Sequence, residues 1–180
     1  EFIDCGSSGY VVKDFGGISS FINTKFRFTS TDASCCALDI TTTKEVNVEG
    51  CSFIRTNNVN QNSGSLFYHP EKSAELSITH CIFDECIGKA FSSFYIITNR
   101  EVTLAHNIIN NTGSSEHPSD YTCGLDLRTV ESLEINNCSF NNIVSNSEYG
   151  GGCGFLIRRL EVAQLELTFI NCKWNNNYAK

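Results

Sequence analysis

The sequence predicts an all-β protein, a parallel β-helix of about six rungs with three short strands in each. Three observations predict it. A strand–bend–strand cassette recurs down the whole chain, the residue at its bend is always one that tolerates positive φ, and a large apolar residue closes nearly every copy.

The cassette is clearest in LEINNCSF, residues 133 to 140, where Leu133 and Ile135 alternate with polar neighbours, Asn136 and Asn137 interrupt, and Cys138 and Phe140 resume the alternation. Alternation by two reads as a strand, and the interruption as a corner. Anchored on Cys138, the same spacing returns at Val46, Val48, Cys51 and Phe53, at Leu76, Ile78, Cys81 and Phe83, and at Leu167, Phe169, Cys172 and Trp174. It also returns at Val102, Leu104, Asn107 and Ile109, with asparagine in the anchor place, and most weakly at Ser19, Phe21, Thr24 and Phe26.

The residue before each anchor is Asn23, Gly50, His80, His106, Asn137 or Asn171. Glycine and asparagine enter the left-handed region at little cost, and histidine is enriched there, so each is suited to a sharp corner. The closing column runs Phe2, Phe26, Phe53, Phe83, Ile109, Phe140 and Trp174, with steps of unequal length. Stacked strands with loops bulging outward tolerate such variation.

A further strand precedes each cassette. CALDITTTKEV (36–46), SSFYIITNREV (92–102) and CGLDLRTVESL (123–133) align without a gap and supply it. Period two then assigns Leu38 and Ile40, Leu66 and Tyr68, Phe94 and Ile96, Leu125 and Leu127, and Phe155 and Ile157 to the core. In the first rung it assigns Tyr10 and Val12. Ser20, Asn47, Ser77, Thr103, Glu134 and Thr168 face water on the second strand. The long connections are rich in Asn, Ser, Thr and Gly, which suit exposed turns, so residues 1–180 read as a single domain.

The composition narrows the function. Thirteen Lys and Arg against twenty Asp and Glu leave a formal charge of −7 with no basic run, which argues against nucleic acid as a partner. No apolar run is long enough to span a bilayer, so this segment is not expected to insert into a membrane. Ten cysteines favour an oxidising, extracellular or cell-surface setting, and the absence of CxxC pairs speaks against structural zinc. No metal or cofactor is expected.

The outward column of the first strand, Val11, Asp39, Phe67, Tyr95, Asp126 and Leu156, is the candidate binding face. Aromatic and apolar residues on an exposed sheet suit sugar rings or protein partners, unless the loops fold back over them. Asp39 and Asp126 stand three rungs apart, about 14 Å at the stacking distance of a sheet. A glycosidase pair needs roughly 5 to 9.5 Å, so they are read as surface acids. His80 and His106 share a column and are read as bend residues rather than ligands. No nucleophile triad, phosphate loop or metalloprotease signature is present.

Cys51 and Cys81, Cys138 and Cys172, and Cys123 and Cys153 fall in register in neighbouring rungs, within the separation that a disulfide accepts. A buried ladder of free thiols fits equally well. Cys5 with Cys35 or Cys36 is a further candidate bridge. Asn110 heads a glycosylation sequon expected on a loop, and Asn137 heads another at a bend.

The rungs NNCSFNN (136–142), INCKWNNN (170–177) and GGCGFLI (151–157) resemble the right-handed parallel β-helix superfamily. They are most similar to the Asn- and Phe-rich repeats of surface proteins in protists and of bacterial polymorphic outer-membrane proteins. The resemblance implies a right-handed coil and a surface-exposed adhesive or structural role. Here GGC stands where the bacterial family has Gly-Gly-Ala-Ile, and only Trp174 with Asn177 approximates its Phe-and-Asn pair. The calcium-binding acids of the pectate lyases, which share the fold, have no counterpart.

Neither end of the sequence shows a capping helix, and the first residue is Glu1, with no methionine anywhere. The chain is expected to be a processed or excised piece of a longer solenoid, or else a subunit that stacks end to end through its open edges. The function expected is a non-catalytic structural or adhesive module that associates with itself, or with a host or matrix protein or a glycan. The alternative is a β-helix that binds or degrades polysaccharide.

Overall fold

Backbone groups of a short strand need partners on both sides, and a chain that coils with a regular repeat supplies them from the turns above and below. The computed structural model is built this way. It describes residues 1–3, 6–7, 12–14, 17–27, 30–31, 37–41, 44–58, 65–68, 75–88, 94–97, 100–113, 125–128, 131–145, 155–158 and 166–179. Among them there are strands and no helix, and strands pair in parallel with equivalent strands of neighbouring turns.

The second strands, from Ile18–Ile22 to Glu166–Ile170, form one six-stranded sheet, and the first strands, from Val12–Asp14 to Phe155–Arg158, form another. The third strands, from Phe2–Ile3 to Lys173–Asn175, form a seven-stranded sheet. The closing column is in register throughout, with Phe2 on Phe26, Phe26 on Phe53, Phe83 between Phe53 and Ile109, and Phe140 between Ile109 and Trp174. Phe2, Phe26, Phe53 and Phe83 stack nearly parallel, at centroid separations of 5.1, 4.9 and 4.5 Å. The outward column Ser20, Asn47, Ser77, Thr103, Glu134 and Thr168 is likewise in register.

Each of the six bend residues has positive φ, between 50° and 62°. The structure corrects the rung itself. A second positive-φ residue follows the first after five positions, at Arg55, Glu85, Asn111, Asn142 and Asn176. It turns the chain into a fourth, two-residue strand, as at Asn57–Asn58, Ile87–Gly88, Val144–Ser145 and Tyr178–Ala179. A turn therefore has four strands and two tight corners, rather than three strands and one.

The first turn carries another correction. Val12 pairs with Leu38 and Lys13 with Asp39, so the place expected for Val11 belongs to Lys13. Val11 itself lies outside the described residues. A slip of two residues leaves inward and outward faces unchanged, so alternation alone does not detect it.

Gly50 tests the corner geometry. Its φ is +62°, and a Cβ there would run into Oδ1 of Asn23 in the turn below. Gly50→Ala is expected to lose about 1–3 kcal/mol in urea unfolding, whereas Asn137→Gly, already left-handed at φ 50°, should stay within about 0.5 kcal/mol of wild type.

Candidate functional site: the corner ladders and the open end of the coil

Corners concentrate the polar side chains, because the left-handed residue aims its neighbours along the axis. At the first corner, the side chain after the bend donates to a carbonyl of the turn below. Cys51 Sγ donates to Phe21 O at 3.3 Å, Cys81 to Val48 O at 3.5 Å, Cys138 to Leu104 O at 3.3 Å and Cys172 to Ile135 O at 3.2 Å. Asn107 takes the cysteine's place with two bonds. Its Nδ2 donates to Ile78 O at 2.7 Å while its Oδ1 accepts from the backbone N–H of Cys81 at 2.9 Å.

The second corner repeats this chemistry at Cys86 and Asn177. Cys86 Sγ donates to Phe53 O at 3.3 Å, and Asn177 Nδ2 donates to Phe140 O at 3.0 Å while its Oδ1 accepts from the Ile143 N–H at 3.0 Å. Cys86 is therefore an anchor at this corner. The signal is present in the sequence, where NCSFNN and NCKWNNN each hold two candidate left-handed residues five apart.

Cys51, Cys81, Cys86, Cys138 and Cys172 are free thiols. The pairings Cys51–Cys81 and Cys138–Cys172 are columns as expected, but as thiols rather than disulfides, with each sulfur directed at a carbonyl. Interaction between the neighbouring thiols lowers the pKa of Cys51 and raises that of Cys81, with burial adding to the rise at Cys81. Burial likewise raises Cys138. Cys5, Cys35, Cys36, Cys123 and Cys153 lie outside the described residues.

Outside the corners run two asparagine ladders. Asn175 Nδ2 donates to Asn141 Oδ1 at 2.8 Å, and Asn141 Nδ2 to Asn110 Oδ1 at 2.7 Å. Beside them Asn176 donates to Asn142 at 3.3 Å, Asn142 to Asn111 at 3.1 Å, and Asn111 to Asp84 at 2.9 Å. Asn110 thus ends the strand Ile108–Asn110 instead of lying on a loop, and its sequon partner Thr112 is buried. A glycan on Asn110 would displace the ladder.

The expected binding face is in register where described, with Asp39 beside Phe67, Phe67 beside Tyr95, Tyr95 beside Asp126 and Asp126 beside Leu156. Asp39 is fully buried, however, so at its level the column is covered rather than solvent-facing. Only the backbone is described at Phe67, Tyr95, Asp126 and Leu156. Tyr68, one position on, is fully buried, and its hydroxyl has no hydrogen-bond partner. Burial first and the charge of Glu75 second push its phenol pKa up.

His80 and His106 stack at 4.7 Å between centroids, on the exposed surface of the corner. Glu45 and Glu75 are directly paired, and with Glu101, Ser77 and Thr103 they line a shallow groove. Among the described residues no group of three or more His, Cys, Asp or Glu is placed to hold a metal ion, and no helix is long and apolar enough to cross a membrane.

Among the described residues, exposed apolar side chains stand in the first turns, at Ile3, Ile18 and Ile22, and in the last turn. Val102, Leu133, Phe83 and Phe140 in the turns below are at most 1% exposed. The same columns end in Leu167 at 45%, Phe169 at 40% and Trp174 at 42%. Tyr178 is exposed beside them. Comparison with family models, with curated proteins and with solved structures finds no match to this chain.

Two outcomes are expected. In the folded protein under reductant, peptide mapping after brief alkylation should find Cys172 modified, while Cys51, Cys81, Cys86 and Cys138 react only on unfolding. Tyr68→Phe removes a buried orphan hydroxyl and should leave stability unchanged or raise it by about 1 kcal/mol, read from the urea midpoint.

Proposed function

We propose that the chain is a non-catalytic structural β-solenoid, a right-handed coil of about six turns that serves outside the cell as a surface, adhesive or filament-forming rod. The observation that carries this reading is the in-register parallel stacking of equivalent strands from turn to turn around one closing column of stacked Phe rings.

Two further features support it. Polar side chains at the corners are engaged in holding turn to turn, which leaves no convergent set for acid–base or nucleophilic chemistry among the described residues. The outward second-strand column is a mixture of Ser, Asn, Thr and Glu, and the groove beside Ser77 and Thr103 is shallow. The extracellular setting rests on the cysteine count, and five of the ten are thiols, four of them in the core. The weight of that support falls on the other five.

Trp174 is the single tryptophan, so its emission reports on the end of the coil alone. Raising the protein concentration should shift that emission to the blue as oligomers form in light scattering. Phe169→Asp should weaken the association roughly a hundredfold or more, because it would bury a charge without a partner. A monomer at all concentrations with an unmoved spectrum refutes self-association through this end.

A further inference from the structure

Two glycosylation sequons, headed by Asn110 and Asn137, stand in successive turns, and the structure treats their asparagines differently. A glycan is bulky and has to end in solvent, whatever the stage of folding at which it is added. It also needs an amide nitrogen that the fold can release.

Asn110 meets neither condition. Along its column it stands between Asp84 and Asn141, and its Oδ1 accepts from Asn141 Nδ2 at 2.7 Å. Thr112, whose hydroxyl completes the sequon, is fully buried.

Asn137 meets both. It is exposed at the first corner, and Asn171 of the next turn lies beyond it along the axis, so this exposure belongs to the corner itself. Its structural duty falls on the backbone, which holds φ at 50° and donates from N–H to Ile170 O at 2.8 Å. The side chain makes a local bond within its own turn, from Nδ2 to Asn136 Oδ1 at 2.6 Å. An amide that has taken a sugar keeps one N–H, so this bond survives. Beside Asn137 lies an open groove lined by His106, Ile108, Ser139, Asn171 and Lys173, in which Ile108 is 39% exposed. Ile108 suits the apolar face of a sugar ring, and the polar side chains around it suit the hydroxyls.

We propose that Asn137 is an N-glycosylation site, carrying its oligosaccharide on Nδ2 over this groove, and that Asn110 is bare in the folded protein. This rests on the extracellular reading above, because the sugar donor, an oligosaccharide joined to a lipid through a diphosphate, meets secreted chains. In the transfer a bond forms between Asn137 Nδ2 and C1 of the first sugar as the bond from C1 to the diphosphate oxygen breaks. The lipid diphosphate leaves with the electron pair, and one amide proton passes to a base of the transferase.

The test is the full chain, secreted from a eukaryotic host behind a cleavable signal peptide and purified in its folded form. Intact mass and glycopeptide mapping should find a single N-glycan, on Asn137. Asn137→Gly, which keeps the corner, and Ser139→Ala, which keeps Asn137, should each abolish it, while Asn110→Gln leaves it in place. Lys173 should be acylated several-fold more slowly in the glycosylated protein than in Ser139→Ala.

A folded, secreted chain with Asn137 bare, or with its glycan on Asn110, overturns the proposal, and equal acylation of Lys173 overturns the placement over the groove. The extracellular reading fails separately. A chain glycosylated at Asn137 in the host, but retained inside its own cells and bare there, loses that setting and keeps the site. A chain found outside its own cells, yet bare at Asn137 in the host, does the reverse.

Discussion

The fold depends on a corner that an L-residue adopts only with difficulty. Among the described residues ten non-glycine positions hold φ between 50° and 56°, most of them asparagine or histidine, and Gly50 takes the same role at 62°. A left-handed residue is tolerated where surrounding structure over-determines it, and at Cys51, Cys81, Cys86, Asn107, Cys138, Cys172 and Asn177 the side chain after the bend does so by bonding to the turn below. Bend and anchor form one unit, in which the first changes direction and the second fixes how far the new turn has advanced. Stacked Phe rings and inward aliphatic columns then fill a core whose cross-section repeats from turn to turn.

That unit also accounts for the interchangeability of Cys and Asn. A thiol is small and apolar enough for the core and still donates weakly, so Cys51, Cys81, Cys138 and Cys172 serve packing and register together. Asn107 and Asn177 serve register more strongly, since an amide both donates and accepts. Each sits where the layer below can return a backbone N–H. Cysteines in register are therefore no sign of disulfides in this fold, because the same positions satisfy a requirement that has nothing to do with oxidation.

Much of the coil was legible in the sequence because its signals were independent of one another. Spacing placed the second and third strands, residue type placed the first corner, and the closing column agreed with both. The second corner was missed because Arg55 and Glu85 are not types associated with positive φ. Only the asparagines at 111, 142 and 176 carried the clue, and they sat in stretches whose polarity suggested loops. The Val11 column slipped by two for the reason already given, that alternation has no memory of even shifts. Asp39 was misjudged differently. Outward from the barrel is not outward to solvent when other parts of the chain cover that face, and strand periodicity speaks only of the former.

The asparagine ladders point one way, with every amide passing its hydrogen bond towards the beginning of the chain. The backbone ladders that join the layers run along the same axis. Tension applied to the two ends of the chain is thus borne by one layer at a time. A coil joined this way gives way layer by layer, so its resistance is set by the bonds of one layer and not by the number of layers.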